Sequence, residues 1–242
     1  MKRVLSVVFL CSFLAASGAA AQTTTSVTFK SANPYGTFTG FGVYVGPYQL
    51  QFNPSPFAGL PGSPIVDAFC VDFDHYATSS WTANATLTSA ASSALTTYTR
   101  QGSAYGFGVG QRNYLAAAWL ATQMMAVPVA DRGTQWMLYH GAIWHLMSGP
   151  TFDASDRFYT PFNGASLGTR TAVLALETQA LNNYGSVDAS DWVVVTPTNL
   201  TSSTSSQEFI TRNVVPEPAT LILLASGLLA LGLVAYFRSG LA

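Results

Sequence analysis

Eighteen consecutive residues near the C-terminus, Thr220 to Phe237, carry no charge and stop at Arg238. As a helix they would reach about 27 Å at 1.5 Å per residue, close to the roughly 30 Å hydrocarbon core of a bilayer. Ten of the eighteen are Leu, Ile, Val or Phe. At roughly −0.3 to −0.6 kcal/mol each for insertion, these outweigh the small cost of Ser226 and the glycines. A buried core helix is the competing reading, but a terminal uncharged run closed by an arginine reads as a transmembrane helix over 220–237. Arg238 is then the membrane stop on the cytoplasmic side, and the body of the chain lies outside.

The other end carries a second apolar run of a different kind. Lys2 and Arg3 precede Val4 to Ala16, which is followed by Ser17-Gly18 and Ala19-Ala20-Ala21. A charged start, a short apolar stretch and small residues at an A-x-A site form a cleavable secretory signal. Thirteen residues are too few to span the bilayer as a helix. Residues 1–21 therefore read as a signal peptide removed after Ala21. Cys11 follows Leu10 inside the apolar stretch, where a lipoprotein signal requires a small residue, so lipidation is not expected there.

Residues 22–213 remain for the body, enough for one well-buried domain. Only 9% of the chain is charged, against roughly 25% in ordinary soluble domains, so its surface must be built largely of uncharged polar groups. Between Gln22 and Val215 there are seven basic and ten acidic residues. No basic field is present to neutralise phosphates, and nucleic-acid binding is not expected.

From Thr23 to Trp81, short Thr/Val/Phe/Tyr runs alternate with Gly and Pro. Ser26–Phe29, Gly42–Val45 and Ile65–Phe73 read as strands, punctuated by Asn53-Pro54-Ser55-Pro56 and Leu60-Pro61-Gly62-Ser63-Pro64. The period then changes. Tyr114, Leu115, Ala118, Trp119, Thr122 and Met125 recur at helical spacing and Pro128 stops the run. A second helix, Arg132 to Met147, places Trp136, His140, Ile143, Trp144 and Met147 on one face and ends at Gly149-Pro150. A third runs from about Arg170 to Asn183, with Gly185 as its stop. Trp192–Val195 and Glu208–Ile210 return to strand character around a Ser/Thr-rich loop. The expected fold is α+β: short antiparallel strands at both ends of one domain, about three helices mid-chain, and the C-terminal transmembrane helix.

The tail begins Val215-Pro216-Glu217-Pro218-Ala219, and the two prolines forbid helix across the motif. An extended peptide is thereby presented at the membrane surface, as a protease needs. Motif, span and basic stop in this order resemble the PEP-CTERM sorting signal of exported proteins in many Gram-negative bacteria. That resemblance implies recognition of Pro216, Glu217 and Pro218 by an exosortase, a membrane protease-transpeptidase. It further implies an inner-membrane-anchored precursor, with release or transfer to the cell surface or extracellular polysaccharide. The family tail usually ends in several arginines; here Arg238 stands alone.

The body carries a second resemblance. Phe69-Cys70-Val71-Asp72, then Tyr114–Leu120, Ala142-Ile143-Trp144 in a helix, and Gln207-Glu208-Phe209 resemble bacterial thioester adhesin domains in order and content. The family implies a Cys, here Cys70, cross-linked to a Gln two residues before the Ala-Ile-Trp segment, giving an electrophile for covalent adhesion. His140 occupies the position of the family glutamine, and an imidazole cannot supply the acyl half. The expectation is the fold without the bond, and a body that is not an enzyme. Gln135 pairing with Cys70 through a shifted helix register is the alternative that would keep a covalent adhesin.

With the signal peptide gone, Cys70 is the only thiol, so no intrachain disulfide is available. Among Phe69, Val71 and Phe73 it reads as a buried apolar thiol. A Cys/His hydrolase using Cys70 with His75, His140 or His145 is a third reading without a supporting local signature. His140 and His145 are five residues apart, which does not suit zinc; His140 reads instead as a hydrogen-bonded core residue on an aromatic face. Asp67, Asp72 and Asp74 lack the pattern of a calcium loop and read as solvated edge-strand carboxylates. Neither cofactor nor metal is expected. Asn84-Ala85-Thr86 and Asn199-Leu200-Thr201 are formal glycosylation sequons with no matching machinery implied. Eleven tyrosines and five tryptophans on a weakly charged surface suit stacking on extracellular polysaccharide.

Overall fold

The computed structural model describes residues 23–57, 60–75, 82–149, 151–198 and 207–213. The signal peptide, the sorting motif and the span 220–237 lie outside the described residues. Among the described residues, no helix is long and apolar enough to cross a membrane.

The described residues contain eight strands: β1 (Thr23–Ser31), β2 (Thr39–Gly40), β3 (Val43–Tyr44), β4 (Tyr48–Asn53), β5 (Ile65–Cys70), β6 (Thr82–Ser89), β7 (Trp192–Pro197) and β8 (Phe209–Arg212). Six of them close into an antiparallel barrel in the order β1-β4-β5-β8-β7-β6, while β2 and β3 form a separate hairpin. The alternation of β1 and β4 explains the inner face. Val27 and Phe29 of β1 stand opposite Phe52 and Leu50 of β4, and all four are buried, as a period of two requires. Cys70 stands opposite Phe209, and Val195 of β7 is opposite Phe209 on its other side.

β7 is buried along its whole length because both of its faces are covered, one by the barrel interior and one by helix. The helices are α1 (Leu95–Tyr98), α2 (Arg100–Ala126), α3 (Arg132–Ser148), α4 (Tyr159–Gly164) and α5 (Leu167–Asn183). α2 starts at Thr99, whose side chain accepts from the Gly102 N–H, an N-cap that satisfies one orphan donor. Gly106, at φ 80°, breaks the helical backbone within α2. α3 ends where Gly149 takes φ 85°. The indole N–H of Trp136 donates to the Met124 carbonyl at 2.8 Å and ties α3 to the end of α2.

The three mid-chain helices and the strands at both ends match the expected order. Three differences have physical causes. α2 begins at Arg100, well before Tyr114, because its glycine-rich first turns carry no apolar period. β4 and β6 were not expected: β6, Thr-Ala-Asn-Ala-Thr-Leu-Thr-Ser, holds Asn and Ala, residues depleted in strands, whereas the apolar/polar alternation of β4, Tyr-Gln-Leu-Gln-Phe-Asn, was a strand signal between two loop motifs that was overlooked. Gly185 is not a left-handed stop; it lies in a 3-10 turn, Tyr184–Ser186, that continues from α5.

Candidate functional site

β5 ends at Cys70, and in the segment Val71 to His75 that follows, the Phe73 ring packs on Trp144 of α3 at 4.8 Å. Trp136, His140 and Trp144 are buried along one face of α3. His140 is fully buried. Its Nδ1 accepts from the Gly46 backbone N–H at 2.9 Å, which fixes the tautomer and leaves Nε2–H to donate to the Cys70 carbonyl at 3.1 Å. The ring stacks on Trp144 at 4.2 Å and meets Tyr48 edge-on at 5.8 Å. Burial pushes its pKa down to about 3, so the imidazole is neutral at any physiological pH.

Gly46 is required here by shape. It holds φ 110°, and a Cβ would come within 2.3 Å of the Trp136 ring, so a side chain would meet both backbone strain and a clash. The short Gly46-Pro47 segment thus brings its N–H to His140.

Cys70 is fully buried. Its thiol donates to the Asp72 carbonyl at 3.2 Å, and burial pushes its pKa up to about 12. Thiolate, the reactive form, is therefore negligible at neutral pH. Gln135 is exposed on α3, whereas His140, five residues later, reaches the Cys70 carbonyl, so the fold places His140 and not Gln135 beside Cys70. The other two histidines are engaged elsewhere: His75 Nδ1 with Asp72 Oδ2 at 2.7 Å, and His145 Nδ1 with Glu177 Oε2 at 2.6 Å.

A second cluster adjoins the first. Asp72 is 8% exposed and pairs with Arg100 at the start of α2. It also accepts from the Asp74 N–H at 3.0 Å and the Glu208 N–H at 3.3 Å. The expectation of a solvated edge carboxylate is wrong for Asp72: a closed barrel has no free edge there, and α2 and the residues before β8 cover it. Asp67 accepts from the Tyr35 hydroxyl at 2.6 Å, and Asp74 accepts from the Arg157 N–H at 3.0 Å. Among the described residues no group of three or more acidic, His or Cys side chains could hold a metal ion.

Glu208, 1% exposed, sits at the centre. Its Oε1 accepts from the Tyr114 hydroxyl; its Oε2 accepts from Thr196 at 2.6 Å and from the Arg100 N–H at 3.1 Å. Burial raises its pKa. Both carboxylate oxygens are occupied, so the group serves as a hub joining α2, β7 and β8. A cavity of ≈ 90 Å³ lies between Asp72, His75, Arg100, Trp144 and Glu208. The hub was missed in the sequence. Its one signal was a lone carboxylate in an otherwise apolar strand, Glu208-Phe209-Ile210.

Pro216, Glu217, Pro218 and Arg238 lie outside the described residues. Residues 214–238 match the family model of the PEP-CTERM protein-sorting motif, beginning directly after Asn213, the last described residue. The motif implies processing by an exosortase, and hence an exported, membrane-processed, cell-surface-associated protein. No curated protein and no solved structure matches the chain.

Proposed function

Since the chain carries a PEP-CTERM sorting signal, we propose that it is a cell-surface or matrix protein whose body is a non-catalytic adhesion domain. Residues 1–21 direct export, 220–237 anchor the precursor in the inner membrane, and an exosortase acts near Pro216-Glu217-Pro218. The body is of the thioester-adhesin type with its covalent function lost.

The observation that carries the last point is the His140–Cys70 contact. The resemblance puts a cross-linking pair at these two positions, 70 residues apart, and the fold brings them within one hydrogen bond. A neutral imidazole has no acyl carbon to offer, and a thiol held near pKa 12 supports neither a nucleophile nor an acyl acceptor. What is left is a barrel joined to α3 through His140. Its contribution to adhesion would come from surface groups, among them the exposed rings of Tyr35, Tyr44 and Tyr98, which suit stacking on polysaccharide.

The test is cell fractionation with and without the exosortase, alongside a Pro216→Ala/Glu217→Ala/Pro218→Ala variant. The protein should reach the cell surface or medium only when enzyme and motif are both intact, and otherwise remain in the membrane. Surface delivery of the variant would count against the sorting reading.

A further inference from the structure

Tyr35 of the loop after β1, Asp67 of β5 and Arg132 at the start of α3 come from distant parts of the chain and meet at the surface. The Tyr35 hydroxyl donates to Asp67 Oδ2 at 2.6 Å. The Arg132 guanidinium lies 5.7 Å from the centre of the Tyr35 ring and 4.9 Å from that of Trp136, both cation–π distances. Trp136 is buried and meets the Tyr35 ring nearly at right angles, 6.3 Å between centres. Arg132 Nε is enclosed without a hydrogen-bond partner. Stacking on two rings, and not a protein acceptor, therefore sets the guanidinium in place.

The loop that carries Tyr35 is braced. The Asn33 N–H donates to Ser31 Oγ at 3.2 Å, and Asn33 Nδ2 donates to Thr37 Oγ1 at 3.1 Å. The Gly36 N–H closes a turn onto the Asn33 carbonyl at 3.3 Å, and Pro34 within it fixes one backbone angle. Yet the Tyr35 ring is 43% exposed. A large side chain held still at the surface has given up rotamer freedom for little burial, and a ligand then binds without that ordering cost. The guanidinium lies over one face of the ring, so the open area is the opposite face and the outer edge. Tyr44 and Tyr98 are also exposed, but among the described residues neither has a carboxylate on its hydroxyl or a cation on its ring.

We propose that Tyr35 is the stacking platform of a binding subsite for one neutral pyranose unit of a polysaccharide. This rests on the adhesion reading above and narrows it to one place on the body. A pyranose carries C–H groups on its faces and hydroxyls around its rim. The C–H face suits the negative face of an aromatic ring, while the rim needs both acceptors and donors. Asp67 offers Oδ1 as the acceptor, and Arg132 offers its outer nitrogens as donors. An apolar ligand would desolvate both groups without compensation. The two charges offset each other, so the cluster has no net attraction for an acidic sugar.

Saturation-transfer NMR on the purified, signal-peptide-free precursor, in a detergent without sugar headgroups, tests the subsite. The probes are cellohexaose, whose equatorial hydroxyls leave both ring faces to C–H groups, and hexagalacturonate. Cellohexaose should receive saturation at its ring C–H protons. Tyr35→Ala should weaken that binding about fivefold or more, Tyr35→Phe, which keeps the ring, should lose less, and Tyr98→Ala should leave it unchanged. All three side chains removed or altered are exposed, so each variant should keep the Tm of the wild type. Binding of cellohexaose that is unchanged in Tyr35→Ala would overturn the subsite alone and leave polysaccharide contact to other surface groups. Binding confined to hexagalacturonate would overturn it too, assigning the cluster to anions. No transfer to either probe from the wild type would overturn the subsite and the polysaccharide contact together.

Discussion

The imidazole of His140 donates from Nε2 to the carbonyl of Cys70 at 3.1 Å, while its Nδ1 accepts from Gly46. One side chain on α3 thereby fastens the end of β5 and the turn before β4. A buried polar backbone group left unpaired costs about 1–3 kcal/mol.

His140→Ala should destabilise the body by about 3 kcal/mol, from two orphaned backbone groups and the vacated ring volume. Urea denaturation of the wild type and the variant measures this directly. A loss below about 1 kcal/mol would show that the ring is not a structural bridge.

The same residue gives a pH dependence. His140 titrates at about 3 when folded and near 6.5 in an unfolded chain, so below pH 6.5 the unfolded state takes up a proton that the native state refuses. Its stabilising contribution is full above pH 6.5 and falls as pH drops toward 3, by about 1.4 kcal/mol per pH unit. Stability measured from pH 7 to 4 should decline in the wild type and more gently in a folded His140→Asn variant. Equal slopes would contradict the assignment.

Cys70 should behave as an inert thiol. The purified body should have the full mass of its sequence, resist alkylation at pH 8, and react stoichiometrically in denaturant. A native mass lower by one ammonia, with Cys70 blocked even in denaturant, would revive the covalent adhesin. Cys70→Ala should lower stability without abolishing surface delivery.

Glu208→Ala removes the acceptor for Tyr114, Thr196 and the Arg100 N–H together. It also leaves Arg100 with less compensating charge. A loss of about 3–5 kcal/mol is expected, as for breaking other buried charged networks, readable as a marked fall in Tm or in soluble yield. A near-native Tm would mean that the hub is dispensable.

Much of the helical layer was legible because its period is strong: Trp136, His140, Ile143 and Trp144 define the buried face of α3 in the sequence and in the fold. The barrel was not, because closure depends on pairings between strands far apart, such as Cys70↔Phe209, which no local pattern encodes. β6 gave little strand signal by composition, whereas the alternation of Tyr48, Leu50 and Phe52 in β4 was legible and was overlooked. No local pattern placed His140 within hydrogen-bond reach of Cys70, because the contact joins residues 70 apart in the chain. Asp72 was misread because exposure was inferred from charge, whereas Arg100 and the Glu208 N–H compensate that charge in a covered position.

Removal of the greasy tail after a proline-bracketed glutamate is the central claim, and mass spectrometry of the protein's C-terminal peptide tests it most directly. Cells with the exosortase should yield a terminus near Pro216–Ala219, and cells without it a terminus at Ala242. Ala242 as the terminus in both would contradict the account.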